Sequence, residues 1–159
     1  MKYINAEFSQ HEMRLIQLGA KVEQVSSKLC YIKFNINNIM IEYVYNINSK
    51  NQYFLERIKP YPLPIKSFSQ ESDIVDIIKV DIKQFKNAVK SKNIESFVEI
   101  NNELNSIIKK FEDLFLYYNV PSETIFRIKQ RIDGLQQDIA ESKETAERIF
   151  FDKEPDNLR

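Results

Sequence analysis

The chain has 159 residues and no net charge, with 23 basic and 23 acidic side chains. A dedicated nucleic-acid binder usually has a strongly basic composition, which this chain lacks. The high content of Phe, Tyr and Ile excludes intrinsic disorder. With one cysteine and one histidine, one chain can hold neither a disulfide, a cysteine-based zinc site nor a two-histidine metal motif.

The first predicted element is a short helix. Ser9 and Glu12 have the spacing of a capping box, and Gly19 is suited to ending a helix. Three apolar side chains are available for burial: Met13, Ile16 and Leu18. Residues 20–27 fit either a strand over 21–25, which we favour, or a continuation of the helix to Ser26.

An antiparallel hairpin is predicted from the alternating segments 29–36 and 39–47, which flank Asn37 and Asn38. Asparagine tolerates the positive φ of a two-residue hairpin turn. Pairing about this turn gathers apolar side chains on one face: Ile36 with Ile39, Phe34 with Ile41, Ile32 with Tyr43 and Cys30 with Tyr45. On the other face Lys33 lies opposite Glu42, so a single register satisfies both faces.

A third strand over 52–59 extends this hairpin to a meander. A four-residue loop before it would place Phe54 beside Tyr45 and Arg57 opposite Glu42. Three alternating prolines follow, and because proline cannot donate a ladder hydrogen bond they predict the end of the sheet. We therefore expect a helix and meander over 1–59, a connector over 60–68, a helical part over 69–151 and a tail over 152–159.

Three amphipathic helices are predicted after the connector, each with apolar residues in steps of three and four. The second helix of the chain would start within Ser67–Ser72, where Ser67 and Gln70 are one candidate capping box. The third covers 94–118, and the fourth runs from Pro121 to Ile149. The stripe of the second helix is Val75, Ile78, Ile82, Phe85 and Val89. The stripe of the third is Phe97, Ile100, Leu104, Ile107, Phe111, Leu114 and Tyr118. The stripe of the fourth is Ile125, Ile128, Ile132, Leu135, Ile139, Ser142, Ala146 and Ile149. The predicted fold class is α+β: a short helix, a three- to four-stranded antiparallel meander and a coiled-coil-like antiparallel bundle of three helices.

Chemistry-bearing motifs are excluded by composition. Only Gly19 and Gly134 are present, so phosphate-binding glycine loops and nucleophile elbows cannot form. His11 is interpreted as a surface or half-buried side chain and Cys30 as an inert thiol on the apolar face of the hairpin. We predict no catalytic residue, no metal and no cofactor.

Two basic groups could contact phosphates. Lys79, Lys83, Lys86 and Lys90 form a row on the second helix, and Arg127 and Arg131 form a smaller cluster on the fourth. Such rows contribute salt-dependent affinity for nucleic acid, but a solvated face is the favoured interpretation, as it is for Glu95, Glu99 and Glu103.

The leading functional hypothesis is a non-enzymatic protein-interaction module that self-associates, or binds a partner, through the helix over 121–149. The partner-binding residues would be Ile132, Leu135, Ile139, Ala146 and Ile149. The alternatives are a nucleic-acid-associated protein and a small-molecule or catalytic site between sheet and bundle. The N-terminal residues have no apolar run of a signal peptide, so we expect a cytoplasmic protein without membrane contact.

Overall fold

The computed structural model describes residues 2–22, 27–48, 53–68 and 71–158. The elements follow one another as α1 (Lys2–Gln17), β1 (Ser27–Ile36), β2 (Ile39–Asn48), β3 (Tyr53–Lys59), β4 (Leu63–Phe68), α2 (Glu71–Ala88), α3 (Ile94–Tyr117) and α4 (Ser122–Thr145). The strands form one antiparallel sheet in the order β1-β2-β3-β4. The predicted α+β class is confirmed. Within the described ranges, no helix has both the length and the apolar character needed to cross a membrane.

The α1 helix starts earlier than predicted. It begins at Lys2, so Ser9 and Glu12 lie inside it and do not cap its start. Gly19 ends it as predicted, with a φ of 91° and an Ala20 N–H that donates to the Leu15 carbonyl. Met13, Ile16 and Leu18 are exposed, contrary to their expected burial, because α1 does not cover the core. Residues 23–26 of the uncertain segment lie outside the described residues.

The β1–β2 hairpin has the predicted register. Ile36 pairs with Ile39, and the pairing runs through Lys33 and Glu42 to Ser27 and Asn48. Asn37 and Asn38 have φ values of 46° and 67°, as a type I′ turn requires. The sequence determines this hairpin because turn chemistry and both faces agree on one register.

The register predicted for β3 is wrong. Arg57 pairs with Tyr43 and not with Glu42, while Phe54 pairs with Asn46 and is exposed. Tyr45 pairs with Leu55 in place of the predicted Phe54, and a shift of one residue turns every side chain of a strand to the opposite face. The core face of β3 consequently carries Tyr53, Leu55 and Arg57.

Residues 63–68 form a fourth strand where the prolines predicted a connector. Lys59–Pro60 is a cis peptide bond at the turn between β3 and β4. Pro64 lies opposite Glu56 at an irregular position of the ladder, and β4 is an edge strand, where a missing N–H is tolerated. Ser67 belongs to this strand and not to a capping box, and Gln70 lies outside the described residues.

The core lies between one face of the sheet and α2. Ile41, Tyr43, Leu55 and Tyr61 are buried there, against the α2 stripe of Ile74, Ile78, Ile82 and Phe85. Ile74 takes the place predicted for Val75, which is exposed. This two-layer arrangement buries the apolar faces of the sheet and of α2 against each other.

The last two helices lie mostly outside this core. No residue of α3 or α4, which are described over their whole lengths, is buried. The first half of α3 touches the β3–β4 turn: the rings of Phe97 and Tyr61 are 5.5 Å apart, and Asn102 donates to the Pro60 carbonyl. The three helices follow in the predicted order, but the stripes of α3 and α4 do not cover each other completely.

The chain returns to α2 after α4. The Ile149 carbonyl accepts a 2.7 Å hydrogen bond from Asn87, and Asp152 forms a 2.7 Å ion pair with Lys83. Both contacts are near the end of α2, close to the point from which α3 departs. The α3 and α4 helices therefore form a hairpin that leaves the body and comes back to it.

Candidate functional site

The helical hairpin formed by α3 and α4 presents a long row of exposed apolar side chains on each helix. Each helix has 24 residues, which corresponds to a length of about 36 Å. Along α3, Phe97, Ile100, Leu104, Ile107 and Phe111 are between 38% and 56% exposed. Monomeric soluble proteins rarely leave contiguous apolar patches of this kind open to water.

The α4 seam consists of Ile125, Ile128, Ile132, Leu135 and Ile139. The last three are 50%, 42% and 48% exposed. Half-exposure on both helices leaves much of the apolar area of each stripe in contact with solvent. The hairpin can therefore accept further apolar surface without unfolding.

The structure divides the predicted partner-binding residues into two groups. Ile132, Leu135 and Ile139 lie together on the α4 seam. Ala146 and Ile149 do not, because α4 ends at Thr145 and Ala146 is already extended. The heptad spacing predicted a longer helix because Ser142 and Ala146 occupy stripe positions. These small side chains bury too little apolar area to favour another helical turn.

The predicted basic groups remain on the surface. Lys79, Lys83 and Lys86 are exposed along α2, whereas Lys90 is exposed in the turn after the helix ends at Ala88. Lys83 is already paired with Asp152. Arg127 donates to the Thr124 hydroxyl and lies with Arg131 on exposed positions of α4. The α2 row therefore offers less free positive charge than the sequence indicates.

A buried polar cluster at the junction of sheet and α2 was not predicted. The Arg57 Nη1 donates to both carboxylate oxygens of Asp81 at 3.0 Å, and the Tyr43 hydroxyl donates to Asp81 at 2.5 Å. The guanidinium, in a side chain only 4% exposed, lies between the rings of Tyr61 and Phe85 at 4.7 and 4.8 Å. One signal was available in the sequence: Asp81 has the spacing of the apolar stripe Ile74, Ile78 and Phe85.

Burial raises the pKa values of two tyrosines in this cluster. Desolvation, followed by the bond to Asp81, raises the pKa of Tyr43 far above its usual range, and desolvation also raises the pKa of Tyr61. A cavity of about 580 Å³ adjoins the cluster and is bordered by residues 153–158. Because Arg57 and Asp81 neutralise each other, the cluster favours a role in folding.

A second charged group lies on the other face of the sheet. Glu42 is buried, accepts a hydrogen bond from the Tyr31 hydroxyl, and forms a 3.1 Å ion pair with Lys59. The bond from Tyr31, with Lys59 in support, lowers the pKa of Glu42. Lys59 thus takes the place predicted for Arg57 in the charged row. The predicted surface position of His11 agrees with its exposure, and Cys30 is half-buried.

Comparison of the chain with protein-family models, curated proteins and solved structures found no match. Among the described residues, no three His, Cys, Asp or Glu side chains are grouped as a metal site would require.

Proposed function

We propose that the protein is a non-enzymatic interaction module that self-associates through the α3–α4 hairpin. The observation that supports the proposal is the exposure of the apolar stripes from Phe97 to Phe111 on α3 and from Ile132 to Ile139 on α4, at 38% to 56% for each stripe residue. Pairing two such hairpins would complete a four-helix arrangement, in which facing stripes form one core.

The body of the protein supports the same assignment. The sheet and α2 bury their apolar faces against each other and hold the ends of the hairpin through Phe97, Asn102 and Ile149. The exposed stripes are therefore not needed to complete that core. Surface of this kind on an otherwise finished domain is typical of an interface.

The test is the mass of the full chain in solution, measured by light scattering from about 1 μM to about 1 mM, a range that spans binding free energies of about −8 to −4 kcal/mol. We expect a mass that rises with concentration towards twice the 18.9 kDa of one chain. The double variant Ile132→Gln, Leu135→Gln should stay at the mass of one chain.

Phe126→Gln is the matched control. Phe126 is exposed on α4 but lies off the seam, so its loss should leave association unchanged. A wild-type chain that keeps the mass of a monomer over the whole range would contradict the proposal.

A further inference from the structure

We infer that the second copy binds along α4 in antiparallel orientation, with the two-fold axis beside Gly134. This inference rests on the proposed function and specifies the partner and register of that surface. It is carried by the distribution of charge along α4, which the apolar stripe alone does not explain.

The two halves of α4 carry opposite charge. Residues 122–132 contain Arg127, Lys129 and Arg131 with one acid, Glu123. Residues 133–145 contain four acids and one base: Asp133, Asp138, Glu141, Glu144 and Lys143. An antiparallel copy brings each basic half beside an acidic half, whereas a parallel copy would place like halves together.

Part of this charge forms a row along one flank of the α4 seam. The row consists of Arg127, Arg131, Gly134, Asp138 and Glu141, at spacings of four, three, four and three residues. All five positions are exposed. Within the described part of the chain Arg131 and Asp138 form no ion pair, so these two charges are available to another molecule.

A single antiparallel register satisfies the seam and the row together. Placing Ile132 against the partner's Leu135 also places Ile128 against the partner's Ile139. In that register Arg131 faces the partner's Asp138 across the flank where antiparallel coiled coils pair charges. Because the arrangement has two-fold symmetry, each contact occurs twice.

The other features of the helix agree with this register. On the opposite flank Lys129 faces the partner's Gln136, so no like charges meet there. Along the helix Gly134 lies between Arg131 and Asp138, so no side chain separates these two charges on their flank of α4.

The test exchanges charges in the full-length protein. Arg131→Asp and Asp138→Arg each turn two attractive contacts into two repulsive ones, and each should weaken self-association about thirty-fold. Mixing the two variants restores attraction at both contacts, so an equimolar mixture should form a heterodimer with an affinity close to that of the wild type. The double variant should again form a homodimer.

Glu144→Arg is the control, since it makes the same substitution as Asp138→Arg on the far side of α4. Sedimentation velocity gives the association constants, and far-UV circular dichroism checks the helix content of every variant. Rescue on mixing supports the register, because only folded chains can be rescued. Two single variants that self-associate like the wild type would overturn the antiparallel register and leave the proposed function standing. A wild-type chain that never associates would overturn the proposed function itself.

Discussion

At the scale of single residues, Asp81 organises the centre of the molecule. Its carboxylate accepts from Arg57 and from Tyr43, and the arginine is further held between two aromatic rings. Removing one member of a buried ion pair leaves the other charge unpaired, which typically costs about 3–5 kcal/mol. The pair thus ties α2 to β3 in one orientation.

Tyr43 makes the stability of the protein depend on pH in alkaline solution. Its folded pKa is raised by burial and by Asp81, whereas in the unfolded chain it ionises near pH 10. The folded state therefore retains a proton that the unfolded state releases. The contribution of Tyr43 to the free energy of unfolding is fully present below pH 10. Above pH 10 it falls by about 1.4 kcal/mol per pH unit.

Urea unfolding between pH 9 and pH 12 should show this fall, and Tyr43→Phe should reduce its slope by about 1.4 kcal/mol per pH unit. The variant also loses a hydrogen bond, but that loss is the same at every pH and leaves the slope difference intact. Lysine ionisation is common to both proteins and cancels. Equal slopes for the two proteins would contradict a buried, protonated Tyr43.

At the scale of the elements, the sequence specifies those whose local signals agree. The sequence predicts the register of the β1–β2 hairpin correctly because the Asn37–Asn38 turn and both faces demand one register. The register of β3 depended on an assumed loop length, and one residue of error exchanged Phe54 for Leu55 on the core face. The Arg57–Asp81 pair was missed for the same reason, since it forms only when β3 has its actual register.

Gly134 weakens α4 at its centre. Glycine in a helix interior costs about 0.5–1 kcal/mol relative to alanine, and a Cβ at this position would meet no atom within 4 Å. Gly134→Ala should therefore stabilise α4, slowing its amide hydrogen exchange about five-fold at a concentration where the chain is monomeric. Ala140→Gly, in the same exposed helix, should speed exchange by a similar factor. Unchanged exchange in both variants would mean that α4 opens only together with the rest of the protein.

At the scale of the whole molecule, the chain divides its apolar surface between two uses. The sheet and α2 form a finished core, while the stripes of α3 and α4 stay half-exposed. Periodicity predicted the helices and most residues of each stripe, including Ile132, Leu135 and Ile139, but not the burial of Ile74 in place of Val75 or the end of α4 before Ala146. It could not predict which stripes would be covered, because amphipathic helices have the same pattern whether they pack within a chain or between chains.

Self-association through the hairpin predicts that thermal stability depends on protein concentration. Only folded chains pair, so mass action favours the folded state, and a hundredfold rise in concentration adds about 2.7 kcal/mol per dimer. For a chain of this size that corresponds to an increase of a few degrees in Tm. Reversible scanning calorimetry at low and high concentration measures the shift. The Ile132→Gln, Leu135→Gln variant should melt at one temperature throughout, and Phe126→Gln should follow the wild type. A wild-type Tm that does not move would mean that the exposed stripes do not pair with each other.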